Sequence, residues 1–208
     1  FMEWKTKDGN YESLQFADYD TFFEGIFTKG RFLDIIKNFI SFSKDDGSEA
    51  IKILAGYHQY FAVNKAIERT KTALKSDGKI GVFWHTQGSG KSLTMVMLAQ
   101  LIATQKEIKN PKIILVTDRI DLNTQITETF QKCHVDVEEA QTGKHLVELI
   151  NSPIDAVITT LIHKFEAAIN QSKDGFTSPN IFVLIDEGHR SQYGTFNVKM
   201  QKVLPNAC

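Results

Sequence analysis

The sequence predicts an α/β fold, a parallel sheet with helices on both faces, preceded by a mainly helical segment. Four short runs, 80–84 (IGVFW), 113–117 (IILVT), 155–159 (DAVIT) and 181–185 (IFVLI), are apolar rather than alternating, the pattern of parallel strands covered on both sides. Amphipathic stretches long enough for helices separate them. The chain of 208 residues is 42% apolar and 24% charged, an ordinary globular composition that excludes wholesale disorder and fibrous repeats.

Residues 1–50 form a Phe-rich first segment that ends in the turn-like stretch Ser43-Lys44-Asp45-Asp46-Gly47-Ser48. Within it Phe32, Leu33, Ile36, Phe39 and Ile40 recur at helical spacing, and with Thr28 as N-cap they predict a helix over 29–42. A second helix, expected over 56–75, leads through Ser76-Asp77-Gly78 into the first strand, 80–84. A third is expected over 91–105. From there strand, loop and helix alternate to the end, which gives a doubly wound sheet.

Several classes of protein are excluded by composition. Lys and Arg number 24 against 25 Asp and Glu, so the chain as a whole is no polybasic nucleic-acid binder, although local basic contacts remain open. The longest apolar runs fall far short of the roughly 20 residues that span a bilayer, so no membrane partner is expected. The amino end lacks the apolar core of a secretory signal and begins with Phe, which suggests a chain cut from something longer. Cys133 and Cys208 form no CxxC, so neither a disulfide framework nor a cysteine zinc site is expected, and the cytoplasm is the expected compartment.

Directly after the first predicted strand comes His85-Thr86-Gln87-Gly88-Ser89-Gly90-Lys91-Ser92, opening a helix. Such a loop turns backbone N–H groups and the positive end of the helix toward a phosphate chain, and glycines at 88 and 90 let the backbone wrap closely. Lys91 would neutralise the β and γ phosphates and the Ser92 hydroxyl would ligate Mg2+. The usual pattern has Gly where this chain has His85, which is read as shaping the loop. A phosphate loop needs acids at the end of a neighbouring strand. Asp186, after IFVLI, is placed to hold Mg2+, and Glu187 to orient and deprotonate a hydrolytic water.

These motifs resemble those of superfamily 2 helicases and translocases, whose motif II reads DExH. More closely, WHTQGSGKS at 84–92, VTDRIDLNTQ at 116–125, Thr159-Thr160 and DEGHRSQYG at 186–194 resemble the motor (restriction) subunit of type I restriction-modification enzymes. In that family the phosphate loop commonly begins with HTQ. Motif II there usually has Ala at its third position, where this chain has Gly188.

The resemblance implies a RecA-like P-loop domain that uses ATP and Mg2+. Thr86, Gln87, Gly88, Ser89, Gly90, Lys91, Ser92 and His189 would hold the nucleotide, and Gln59, within Tyr57-His58-Gln59-Tyr60, would read the adenine edge. Arg119, Thr159 and Thr160 match positions that touch the phosphate backbone of duplex DNA. The alternative for the two threonines is β-branched strand filler, and for Arg119 a local ion pair with Asp118 or Asp121.

FMEWKT and the stretch from Phe32 to Phe39 are similar to the family's connector between nuclease and motor. Residues 1–50 are therefore expected to be a connector following a missing nuclease domain, and 51–208 the first RecA-like motor domain. The E-x-K spacing of Glu3-Trp4-Lys5, without a partner acid in a preceding strand, is not read as a nuclease site. The parent would be an ATP-dependent type I site-specific deoxyribonuclease working with modification and specificity subunits. With a second motor domain missing, this chain alone would be at best a very poor ATPase. The alternative is the ATP-binding domain of another superfamily 2 DNA or RNA helicase. His58, His134, His145 and His163 share no metal-ligand spacing and are read as surface or packing residues.

Overall fold

The structure, a computed structural model, describes residues 3–16, 18–44, 49–172, 175–186, 198 and 200–208. Two short helices open the chain, α1 (Tyr19–Ile26) and α2 (Lys29–Asn38). Asp18 caps α1, its carboxylate accepting from the Thr21 amide at 2.9 Å and the Ser13 hydroxyl at 2.6 Å. Thr28 stands at the N-cap position of α2 without a side-chain capping bond.

The helix expected over 29–42 stops at Asn38. Phe39 leaves helical geometry at φ −126°, and Ile40–Ser43 form strand β1, paired antiparallel with β2 (Ile51–Leu54). Apolar periodicity runs on through Ile40, but β-branched Ile40, Ile51 and Ile53 gain a cross-strand partner in the hairpin. The hairpin spans residue 50, so the amino-terminal segment and the residues just after it share a sheet.

The long helix α3 (Tyr57–Ala73) and the helix α4 (Lys91–Ala103) pack side by side. After α4 come β3 (Lys112–Thr117), α5 (Ile120–Lys132), β4 (Val137–Glu139), α6 (Gly143–Asn151), β5 (Ala156–Leu161), α7 (Ile162–Gln171) and β6 (Ile181–Ile185). The strands form a parallel sheet in the order β4-β5-β3-β6.

Alternation along β3 sends side chains to two cores. Ile113 and Leu115 meet Val96, Met97, Ile126 and Phe130 of α4 and α5, while Ile114 and Val116 meet Leu146 and Phe165 of α6 and α7. All six residues of β3 are buried, as a central parallel strand covered on both faces requires. Burying a side chain such as Leu115 or Ile114 contributes about 1.5–3 kcal/mol.

The strand expected at 80–84 does not form. Residues 79–86 carry no strand pairing, and Val82 and Trp84 are 90% and 87% exposed. An apolar run becomes a strand only where a neighbouring edge offers a hydrogen-bond ladder. The outer edge of β6 is engaged by other backbone: the Val183 amide donates to the Cys208 carbonyl at 2.7 Å, and the Cys208 amide to the Ile181 carbonyl at 2.9 Å.

Candidate nucleotide site

Where α4 begins, the loop before it reaches the helix through two left-handed glycines. Gly90, its N-cap, lies at φ +79° and ψ +37°, left-handed geometry that glycine adopts without steric cost, and it supplies no side-chain cap. Among the described residues no side chain accepts from the first amides of α4, which leaves the positive end of the helix suited to an anion. Gly88 is also at φ +79°, and a Cβ there would meet nothing within 4 Å. Thr86 closes the turn by accepting the Ser89 hydroxyl at 2.8 Å and the Ser89 amide at 3.3 Å. The Lys91 ammonium donates to the His85 carbonyl at 3.2 Å, folded back across its own loop. Thr86, Gln87 and Gly88 are exposed, whereas Ser89, Lys91 and Ser92 are half-buried. The glycine conformations, the uncapped helix and the ammonium fit a phosphate chain.

The loop is held from the side by the first turn of α3. His58 Nε2 lies 3.0 Å from the Ser89 carbonyl, and because a carbonyl only accepts, this nitrogen carries the proton. Gln59 is 5% exposed with both ends of its amide engaged: Nε2 donates to the Gly90 carbonyl at 3.1 Å, and Oε1 accepts from the Gly56 amide at 2.8 Å. The edge of the adenine that sequence assigns to Gln59 would have to compete with these bonds. His58, read from sequence as a surface or packing residue, is instead in direct contact with the loop. Its one signal in the sequence is adjacency to Gln59.

His85 stands edge-on to His58, ring centroids 5.2 Å apart. Burial pushes the His85 imidazole below its usual range, with His58 and Lys91 adding to the effect. Its Nδ1 is buried and has no hydrogen-bond partner among the described residues. A cavity of about 270 Å³ is lined by His85 together with Asn10, Glu12, Tyr57, His58 and Phe61.

Asp186 follows β6 directly, half-buried, its amide donating to the Val116 carbonyl at 3.0 Å, which places it at the carboxyl ends of β3 and β6. In a parallel sheet this is the end where ligands bind. Glu187 and His189 lie outside the described residues. No cluster of three or more His, Cys, Asp or Glu suited to a metal occurs among the described residues.

Of the three residues matched to DNA contacts, Arg119 is exposed at the N-cap of α5. Thr159 and Thr160 are fully buried in β5. The Thr159 hydroxyl is paired with that of Thr127 at 3.1 Å, and the Thr160 hydroxyl donates to the Leu161 carbonyl at 3.4 Å. In this arrangement their hydroxyls serve the interior. Among the described residues no helix is long and apolar enough to cross a membrane.

The chain is 39% identical over 210 residues to the type I restriction enzyme HindI endonuclease subunit of Haemophilus influenzae, covering 93% of this chain and 20% of that protein. It is 33% identical over 204 residues to the proposed type I restriction enzyme MjaIXP endonuclease subunit of Methanocaldococcus jannaschii, covering 95% and 19%. A type I restriction enzyme endonuclease subunit of Staphylococcus aureus is 32% identical over 154 residues, covering 72% and 16%. The chain therefore spans about a fifth of the length of the first two of these relatives. Residues 58–208, from His58 in the first turn of α3 to Cys208, match the SWI2/SNF2 ATPase model, and the chain belongs to that family.

Proposed function

We propose that this chain is the ATP-binding part of the DNA-translocating motor subunit of a type I restriction endonuclease, with residues 1–50 as connector and 51–208 as the first RecA-like motor domain. The observation that carries the proposal is the uncapped start of α4 behind two left-handed glycines, with Lys91 beside it. The amides of the loop 86–92 bind the phosphates of ATP, and Lys91 swings from the His85 carbonyl onto the β and γ oxygens. Bound Mg2+ would neutralise developing charge on the phosphates, and Ser92 and Asp186 offer the hard oxygen donors that such an ion takes. Glu187 orients and deprotonates the attacking water, with His189 completing motif II.

Arg119 is the exposed cation through which duplex DNA is held, and contacts of this kind to the phosphate backbone carry no sequence preference. In the whole cytoplasmic enzyme, ATP hydrolysis drives translocation and precedes cleavage, and modification and specificity subunits assemble on the same complex. Support for these partners comes from the names of the relatives, all type I restriction enzyme endonuclease subunits.

The test is nucleotide binding. Lys91→Ala removes charge-assisted contacts of roughly 1.5–3 kcal/mol, so calorimetry with ATP and Mg2+ should show about a ten- to a hundredfold loss of affinity. Equal binding by variant and parent would refute the site.

A further inference from the structure

A peptide unit is planar and trans, so its C=O and N–H point in opposite directions. Whatever fixes one carbonyl of a loop therefore aims the amide of the next residue. Two successive carbonyls of the phosphate loop are fixed by two successive side chains of α3: Ser89 by His58 at 3.0 Å and Gly90 by Gln59 at 3.1 Å. With the Ser89 carbonyl turned toward α3, the Gly90 N–H is turned away from it. The Gly90 carbonyl also accepts from the Thr94 amide at 3.0 Å, so the Lys91 N–H faces out past the start of α4.

We propose that His58 is a positioning residue for the polyphosphate of the bound nucleotide: it holds the Ser89–Gly90 peptide so that the Gly90 N–H is presented before the ligand arrives. The inference rests on the reading of this loop as an ATP site. Its physical basis is preorganisation, since a loop already ordered loses less conformational freedom on binding. Residues 79–86 carry no strand pairing to steady the approach to the loop. The orientation of the imidazole is itself fixed, edge-on to Tyr57 at 5.4 Å and to His85 at 5.2 Å.

Two variants separate donation from shape. His58→Phe keeps a ring between Tyr57 and His85 but cannot donate, whereas His58→Gln returns an N–H without the ring. Binding of ATP with Mg2+, of inorganic tripolyphosphate with Mg2+ and of adenosine is measured for each, together with the unfolding midpoint. His58→Phe should bind ATP and tripolyphosphate about three- to tenfold more weakly, as expected for one lost hydrogen bond, with adenosine unchanged. His58→Gln should recover most of that loss. Parent-like ATP binding by His58→Phe, an equal loss in both variants, or an equal loss for adenosine would overturn the assignment. A parent chain that binds neither polyphosphate, with Lys91→Ala no different, would instead show that the ATP reading itself is wrong, and the role of His58 would fall with it.

Discussion

Gln59 donates to the Gly90 carbonyl at 3.1 Å, and a Cβ built on Gly90 would come within 2.7 Å of the same Gln59 nitrogen. A side chain at position 90 would thus compete with the Gln59 amide for the same space. Gly88 and Gly90 share φ +79°, yet a Cβ at Gly88 meets open space.

The two glycines should therefore respond differently to alanine. Gly88→Ala carries the left-handed strain alone, about 1–2 kcal/mol. Gly90→Ala carries the same strain and also displaces Gln59, adding roughly 0.5–1.5 kcal/mol for the lost bond. Urea unfolding of both variants measures the difference, and equal destabilisation would mean that the Gln59 contact contributes nothing.

Gln59 itself can be tested by base selectivity. Its amide is engaged with Gly56 and Gly90, so Gln59→Ala should weaken ATP and GTP by a common factor, about three- to tenfold. A loss confined to ATP would return Gln59 to the adenine edge, the role that the resemblance implies.

How far the sequence foretells the structure depends on the range of the interactions. β3 and β6 are legible because a strand buried on both faces is a contiguous apolar run, and the loop 86–92 because its glycine spacing is local. β4 is not, since Val137–Glu139 is three residues with two exposed glutamates at the sheet edge. The run 80–84 has strand composition, but whether an edge is open to it depends on Cys208, more than a hundred residues away. His58 escapes for a related reason. Its partner is a backbone carbonyl 31 residues distant, and carbonyls leave no signature in a sequence.

Acid should loosen the amino-terminal segment. Hydrogen bonds from the Ser13 hydroxyl and from Thr21 hold the Asp18 carboxyl down at about 2. A carboxyl with a depressed folded pKa contributes stability that is complete above its unfolded value, about 3.9, and that is lost as pH falls toward 2. Asp8 and Asp77 are shifted the same way, chiefly by the Asn10 and Lys79 amides. Asp18→Asn should therefore flatten, without abolishing, the decline in thermal midpoint between about pH 4 and pH 2. An unchanged acid limb would show that the Asp18 cap does not titrate with folding.

The exposed course of residues 80–84 can be checked with the chain's own fluorophores. Trp4 is 2% exposed, packed against Tyr57, Tyr60 and Phe61 with ring centroids 5.7–6.4 Å away, whereas Trp84 is 87% exposed directly before His85. Water relaxes around an exposed excited indole and shifts its emission to longer wavelength, and a dissolved quencher reaches it freely. Trp4→Phe should leave red-shifted emission that iodide quenches readily. Trp84→Phe should leave blue-shifted, shielded emission from Trp4. Because Trp84 abuts the phosphate loop, ATP should change the emission of Trp4→Phe and leave that of Trp84→Phe nearly constant. A shielded, blue-shifted Trp84 would mean that the run does enter the sheet in solution. The loop would then be steadied by a strand as well as by His58 and Gln59.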